Sequence, residues 1–298
     1  MYLTSNEMTM EVEQLYREFK PLLTSIAYRM LGSMSEAEDA VQDVFVTVSK
    51  LDGIDIEHPK AYLVKLVTNR VLNLMKSAPR QRESYPGQWL PEPVIEFDTE
   101  SMPLESVIQH EQLGYALLVL LQTCTPPERA VFVLRESFGY DYAEIAALLD
   151  KSEAACRKIF SRASAKIGHS STIENKTSLD DSMNRFVQSF SQAIHTGRLD
   201  SFIHLLTDNA VLLTDGGGIV RSALNPIMGP QRIVAFFDGI AKKGAFEGTW
   251  QSASISGQQG LLLMHNNQIV KAYVFEPDEQ SNKIRAIYVI SNPEKLTR

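Results

Sequence analysis

TPPERAVFVLRESFGYDYAEIAALLDKSEAACRKIFSRASAKI, residues 125–167, divides into three helical pieces joined by short turns. Thr125 precedes two prolines and Glu128, which is how a helix begins when proline takes the first position and a glutamate reaches back to the orphan amides. Val131, Phe132 and Leu134 form its apolar face, and the pattern ends near Phe138-Gly139. Asp141-Tyr142-Ala143-Glu144 opens a short second helix with the same capping logic, burying Ile145, Ala146, Leu148 and Leu149. Ser152 caps a third. Helix, turn and helix in this order form a motif whose second helix enters the major groove of DNA, the one groove wide enough for it and distinct for every base pair. Ile159, Ala163 and Ile167 recur every four residues and face the core. Ser152, Glu153, Arg157, Lys158 and Arg162 are left near the exposed N-terminal side, where cations neutralise phosphates and can fork onto guanine edges.

Outward from this motif the chain falls into further units. Residues 1–78 read as three or four helices, with apolar periodicity in Leu15, Phe19, Leu22, Leu23 and Ile26 and again in Val41, Val44, Phe45 and Val48. Ser35 with Glu38 has the form of a capping box. His58-Pro59 breaks the chain before a helix expected over 61–76. Residues 79–103 hold Pro79, Pro86, Gly87, Pro91, Pro93 and Pro103 with little periodicity and read as a linker. The helix-turn-helix unit covers 104–170. A third unit, 178–298, starts with amphipathic helices at 181–195 and 199–206. Strand-like runs follow at 210–214, 248–256, 259–265, 268–275 and 283–290, interrupted by a helix at 230–242, which is α+β order.

The 298 residues carry a formal charge of −7, an unpromising total for a DNA-binding chain until its distribution is considered. Lys60, Lys65, Arg70, Lys76, Arg80 and Arg82 are accompanied by no acid between 60 and 82, whereas seven acids and no Lys or Arg lie between Glu83 and Glu111. A second cluster, Lys151, Arg157, Lys158, Arg162 and Lys166 against Glu153 alone, occupies the third helix of the motif. The first ten residues lack a secretory apolar run, and the longest apolar stretch, near 113–121, is too short for a bilayer, so a cytoplasmic protein without a membrane partner is expected. Cys124 and Cys156 have no metal-ligand spacing and read as small core residues. Neither metal nor cofactor is expected.

The run Ser35-Glu-Ala-Glu-Asp-Ala-Val-Gln-Asp-Val-Phe45 resembles the part of sigma region 2 that docks on RNA polymerase. The resemblance implies Asp39, Gln42, Asp43 and Phe45 as polymerase contacts. His58 to Asn69 is similar to the start of the helix that reads the −10 promoter element, with Tyr62 where many relatives have Trp; it implies Lys60, Tyr62, Lys65, Asn69, Arg70, Lys76 and Arg80 as DNA contacts. A melted strand needs stacking platforms and a basic groove, which a tyrosine and cations supply. Gly139 to Ile167 is similar to region 4, which reads the −35 element, with Ser164 where relatives often have Arg. Trp89-Leu90-Pro91-Glu92-Pro93, Asp215-Gly216-Gly217-Gly218 and Asn292-Pro-Glu-Lys-Leu296 resemble motifs of the SigJ-like subgroup of extracytoplasmic-function sigma factors, although Ile219 replaces the usual basic residue.

That resemblance implies a multidomain protein: two all-α sigma domains followed by a SnoaL-like domain of the NTF2-like cone fold, with core RNA polymerase and promoter DNA as partners. It implies regulation in cis by the third domain. The linker, extended, spans at most roughly 95 Å, and two promoter elements lie roughly 60 Å apart at about 34 Å per helical turn, so one molecule reaches both. The acidic linker, through Glu92, Glu96, Asp98 and Glu100, is expected to occupy the basic RNA path of the polymerase. Trp89, Leu90, Pro91, Glu92 and Pro93 are expected to dock against the third domain at Asp215 to Gly218 and at Asn292 and Pro293. Asp215 followed by glycines reads as a strand end turning sharply rather than a catalytic carboxylate, since His195, His204 and His265 have no spacing that joins them to it. No residue pattern supports a small-molecule ligand of the cone. Two other readings stay open: a ligand-binding or enzymatic cone protein with a DNA-binding accessory, and a repressor that binds duplex DNA without polymerase.

Overall fold

The computed structural model describes residues 5–50, 57–97, 114–168, 176–278 and 280–296, without the side chains of 5–11, 77–83, 176–182, 195, 200 and 201. These residues lie in two compact units. One is within Met1–Gln81, Pro103–Glu111 and Leu120–Ser170, the other within Arg82–Met102, Gln112–Val119 and Ser171–Arg298.

The first unit is helical. Helix α1 (Ser5–Leu31) and α2 (Met34–Val48) pack on each other and α3 (Pro59–Glu83) follows. Leu23, Ile26, Ala27 and Met30 of α1, Ala37, Ala40, Val41 and Val44 of α2, and Leu63, Val64, Val67 and Val71 of α3 are buried at the spacing that puts one helix face inward. The cap of α2 is Ser33, whose side chain accepts from the Glu36 amide, and not Ser35; Gly32, at φ 77°, already ends α1 there, so the new helix starts two residues earlier than the capping-box reading places it. After α4 (Tyr115–Leu121), which lies in the second unit as far as Val119, come α5 (Pro126–Phe132), continued by a π-helical turn over Val133–Ser137, α6 (Tyr142–Leu149) and α7 (Glu153–Ile167). The expected caps hold: the Thr125 amide donates to Glu128, Asp141 and Glu144 satisfy each other's amides, and Ser152 accepts from Ala155. Asp150 takes the left-handed conformation (φ 52°) that closes α6 and sets the turn. Cys156, Ala163 and Ile167 form the buried side of α7, while Ile159 is only half-buried; Phe160 stacks on Phe132, ring centroids 5.8 Å apart.

The second unit is α+β. Helix α8 (Lys176–Thr196) and a 3-10 turn (Leu199–Leu205) lead into a sheet of seven strands: β1 (Ile95–Glu96), β2 (Leu206–Asp215), β3 (Ile227–Met228), β4 (Thr249–Ile255), β5 (Gln258–His265), β6 (Gln268–Pro277) and β7 (Ile284–Ile290). Their order is β1-β4-β5-β6-β7-β2-β3, antiparallel except for β2 with β7. Helix α9 (Pro230–Ala241) packs on β2. The core is aromatic: Phe190 sits among Phe202, Phe237, Tyr273 and Phe275, with ring centroids 5.0 to 5.4 Å away. The stretch expected as a linker departs from that reading. It begins as the last turn of α3, and its β1 pairs with β4, Ile95 opposite Ile255 and Glu96 opposite Ser254. Two-residue strands leave little periodicity, which is why the sequence pattern hides it.

Candidate nucleic-acid interface and an acidic node

On α3, Tyr62, Lys65, Asn69 and Lys76 recur at i, i+3, i+7 and i+14 and so share one face, opposite the buried Val64, Val67 and Val71. Tyr62 is half-buried, and Lys60 is exposed at the start of the helix. Lys76 donates to Asn73. Arg70 lies to one side and forks onto Asp43, Nε and Nη2 at 2.9 and 2.6 Å from one carboxylate oxygen. The Arg80 side chain lies outside the described residues.

On α2, Asp39, Gln42 and Asp43 are exposed on one side. Phe45 is not on that side: it is 6% exposed and packs edge-on against Tyr16, because it follows the buried Val41 and Val44 in the helical period. A surface cavity of about 410 Å³ is lined by Asp43, Val44, Val46, Thr47, Leu66 and Arg70. Val46, half exposed and off the inward period of Val41, Val44 and Val48, joins Val44 and Leu66 as the apolar part of this groove.

At the helix-turn-helix, Ser152, Glu153, Arg157, Lys158 and Arg162 are all exposed around the start and outer face of α7. Arg157 lies over the Tyr142 ring at 4.5 Å and 3.3 Å from Glu153, so its guanidinium is held by an aromatic plane and a carboxylate. Beneath them Glu128, nearly buried, meets Lys166 at 2.6 Å. Burial disfavours the charged form of Glu128, but the Lys166 ammonium and the Thr125 amide outweigh it and hold the carboxyl below the usual range.

In the second unit a different cluster forms around Asp215, whose side chain is fully buried. Its Oδ1 accepts from the Tyr85 hydroxyl at 2.6 Å and the Gly217 amide at 3.0 Å; its Oδ2 accepts from the Leu90 amide at 2.9 Å and Lys295 Nζ at 2.8 Å. Lys295 also donates to the Leu90 carbonyl and lies 4.3 Å over the Trp89 ring. Asn292 donates to the Tyr85 hydroxyl. Burial and the Asp215 carboxylate push that hydroxyl well above its ordinary range. Gly216 and Gly217 are required by contact: a Cβ would lie 2.0 Å from the Val220 carbonyl at the first and 2.4 Å from Asn292 at the second, where φ is also +63°. Pro93 is buried. Glu92 is 7% exposed between buried prolines, which removes it from the set expected to face a basic channel; Glu96 lies in β1, and Asp98 and Glu100 lie outside the described residues. Pro293 starts a 3-10 turn that presents Lys295. Sequence reasoning missed Tyr85 and Lys295, although Lys295 stands inside the quoted Asn-Pro-Glu-Lys-Leu run. It also missed Tyr115, fully buried, whose hydroxyl donates to the Pro91 carbonyl at 2.7 Å.

Residues 15–81 match the family model of Sigma-70 region 2, and residues 115–167 match that of Sigma-70, region 4. The chain is 30% identical over 296 residues to the ECF RNA polymerase sigma factor SigJ of Mycobacterium tuberculosis, covering 97% of this chain and 94% of that protein. It belongs to the extracytoplasmic-function RNA polymerase sigma factors. A probable ECF sigma factor SigI of the same organism is 27% identical over 96% of this chain and 94% of its own. The crystal structure of Mycobacterium tuberculosis SigJ superposes with a TM-score of 0.73 at 27% identity, covering 95% of this chain and 97% of that one. The two sigma regions and the sheet-rich C-terminal domain of this sigma factor therefore share the SigJ architecture, and the family places it among transcription factors.

Proposed function

We propose that this sigma factor binds core RNA polymerase through the exposed side of α2 at Asp39, Gln42 and Asp43, and directs it to promoters in the cytoplasm. The α3 face of Tyr62, Lys65, Asn69 and Lys76, with Lys60 and Arg70 flanking it and Arg80 as a further contact, reads the −10 element, and Ser152, Glu153, Arg157, Lys158 and Arg162 read the −35 element. The C-terminal domain regulates this activity in cis through the segment that carries Trp89 to Pro93. What carries the reading is the exposed cationic start of α7 on a correctly capped helix-turn-helix, together with the family match across both sigma regions. Asp215 supports a structural role for the C-terminal domain, since all its carboxylate oxygens are engaged by donors from the chain itself. No helix among the described residues is long and apolar enough to cross a membrane.

The test is co-purification with core polymerase, followed by promoter-directed transcription with the full chain and with a version ending at Lys176. Core binding and promoter-dependent transcripts from the full chain, altered in amount by the truncation, are expected. A chain that ignores the core and binds duplex operator alone would make it a repressor instead.

A further inference from the structure

Within the first unit, the −10 face and the −35 unit touch each other. Lys65 Nζ on α3 lies 2.7 Å from Asp150 Oδ1 and 3.3 Å from the Ala147 carbonyl, at the C-terminal end of α6. That carbonyl end carries the negative pole of the helix, so an ammonium is favoured there twice over. Asp150 is two residues from Ser152, the cap of the helix expected to read DNA. A second contact reinforces the first: Arg129 of α5, 3% exposed, donates to the Met30 carbonyl in the last turn of α1 at 2.7 Å. In a third, the Arg29 guanidinium lies 5.0 Å from the centre of the Phe138 ring.

This arrangement cannot persist on a promoter. Asp150 and Ser152 are at most about 7 Å apart along the chain, so the start of α7 lies close to Lys65, whereas two promoter elements lie roughly 60 Å apart at about 34 Å per helical turn. We propose that the Lys65–Asp150 pair is an autoinhibitory clasp: it holds the sigma core closed and occupies a cation that the −10 element needs, so that promoter phosphate and Asp150 compete for the same ammonium. In the closed form the buried Arg129 contact sets the register of the two regions; it parts with the pair when the core opens, and the exposed pair is the one for which promoter phosphate competes directly. An exposed pair is worth little against a DNA backbone dense in charge, so the clasp favours the closed form in the free protein yet yields to polymerase and promoter. The inference rests on the reading of Lys65 as a promoter contact.

The experiment measures the separation of spin labels at Glu18→Cys and Ala165→Cys, both exposed in the native chain, in the full-length protein. Cys124 and Cys156 are buried and their thiols are pushed up by burial, so they escape labelling. A single short separation is expected in the free protein, and one longer by tens of ångströms once core polymerase and promoter DNA are added. Asp150→Asn keeps the left-handed cap and removes the charge; it should raise the open population of the free protein about two- to five-fold, the equilibrium equivalent of one exposed ion pair. An active promoter complex with an unchanged separation, or an Asp150→Asn protein with an unchanged open population, overturns the clasp alone. Failure to form any promoter complex overturns the promoter reading and the clasp with it.

Discussion

Lys295 Nζ stands 2.8 Å from Asp215 Oδ2 with side chains 11% and 0% exposed, joining the last turn of the chain to the end of β2. The pair is satisfied on all sides by Tyr85, the Leu90 amide and carbonyl and the Gly217 amide, which is the condition under which a buried charge is tolerated. The segment from Tyr85 to Leu90 is thereby attached to the C-terminal domain by polar chemistry rather than by apolar area alone.

Breaking this pair on one side should be costly. Lys295→Met leaves a buried carboxylate without its cation and should destabilise the second unit by about 3–5 kcal/mol. The double change Asp215→Asn with Lys295→Met should recover part of that loss. Urea unfolding of the full chain, followed by the fluorescence of Trp89 and Trp250, checks both.

Gly217→Ala should lower the melting temperature although it adds a single methyl group. The added Cβ would sit 2.4 Å from the Asn292 side chain, and φ +63° is itself strained for alanine at about 1–3 kcal/mol. Asn292→Ala in the same background should return the part due to the clash less the cost of its own lost bonds to Tyr85 and the Glu294 amide, which Asn292→Ala alone measures. Thermal denaturation of the three variants separates the two contributions.

Phe190 touches six other rings, so Phe190→Ala should cost about 3–5 kcal/mol through the cavity it leaves. Phe190→Leu should cost less. Calorimetry on the full chain distinguishes them, and equal losses would mean that the aromatic core collapses around the gap.

On α7, Arg157→Ala, Lys158→Ala and Arg162→Ala should each weaken promoter binding by the holoenzyme and reduce the slope of log K against log salt by about 0.9 where the side chain meets a phosphate. A side chain that instead reads a base edge should leave the slope and change sequence preference by about 1–3 kcal/mol. Binding isotherms at several salt concentrations on two promoter variants separate these roles.

Glu128 predicts an acid sensitivity of the helix-turn-helix. Its carboxyl is held below the usual range in the folded protein, so its contribution is present above the unfolded value, about 4.3, and is lost as pH falls through the lower folded value. Lys166→Met should remove most of that pH-dependent loss while lowering stability at pH 7. The fraction folded between about pH 5 and pH 2, followed by circular dichroism, reads the difference.

Much of this protein is written in short-range terms. The caps at Thr125, Asp141 and Ser152 and the apolar periods of α2 and α6 are local agreements between side chain and backbone, and they were legible residue by residue. So were the five long strands, whose β-rich runs need no distant partner to be recognised. What the chain alone left undecided depends on groups brought together from far apart. Phe45 stands on the apolar period of Val41, Val44 and Val48 and Val46 stands off it, but that Val46 borders a groove with Asp43, Leu66 and Arg70 depends on α3, which is distant in sequence. The carboxylate of Asp215 reads from the sequence as part of a sharp turn, and its partners Tyr85 and Lys295 arrive only in the fold, from 130 residues before it and 80 after it. Ile95 and Glu96 become a strand because β4 offers an open edge, and Lys65 meets Asp150 because helices far apart in sequence pack together. Propensity acts over a turn of helix or a pair of strand residues; burial, charge pairing and sheet edges exist only after the chain has closed on itself.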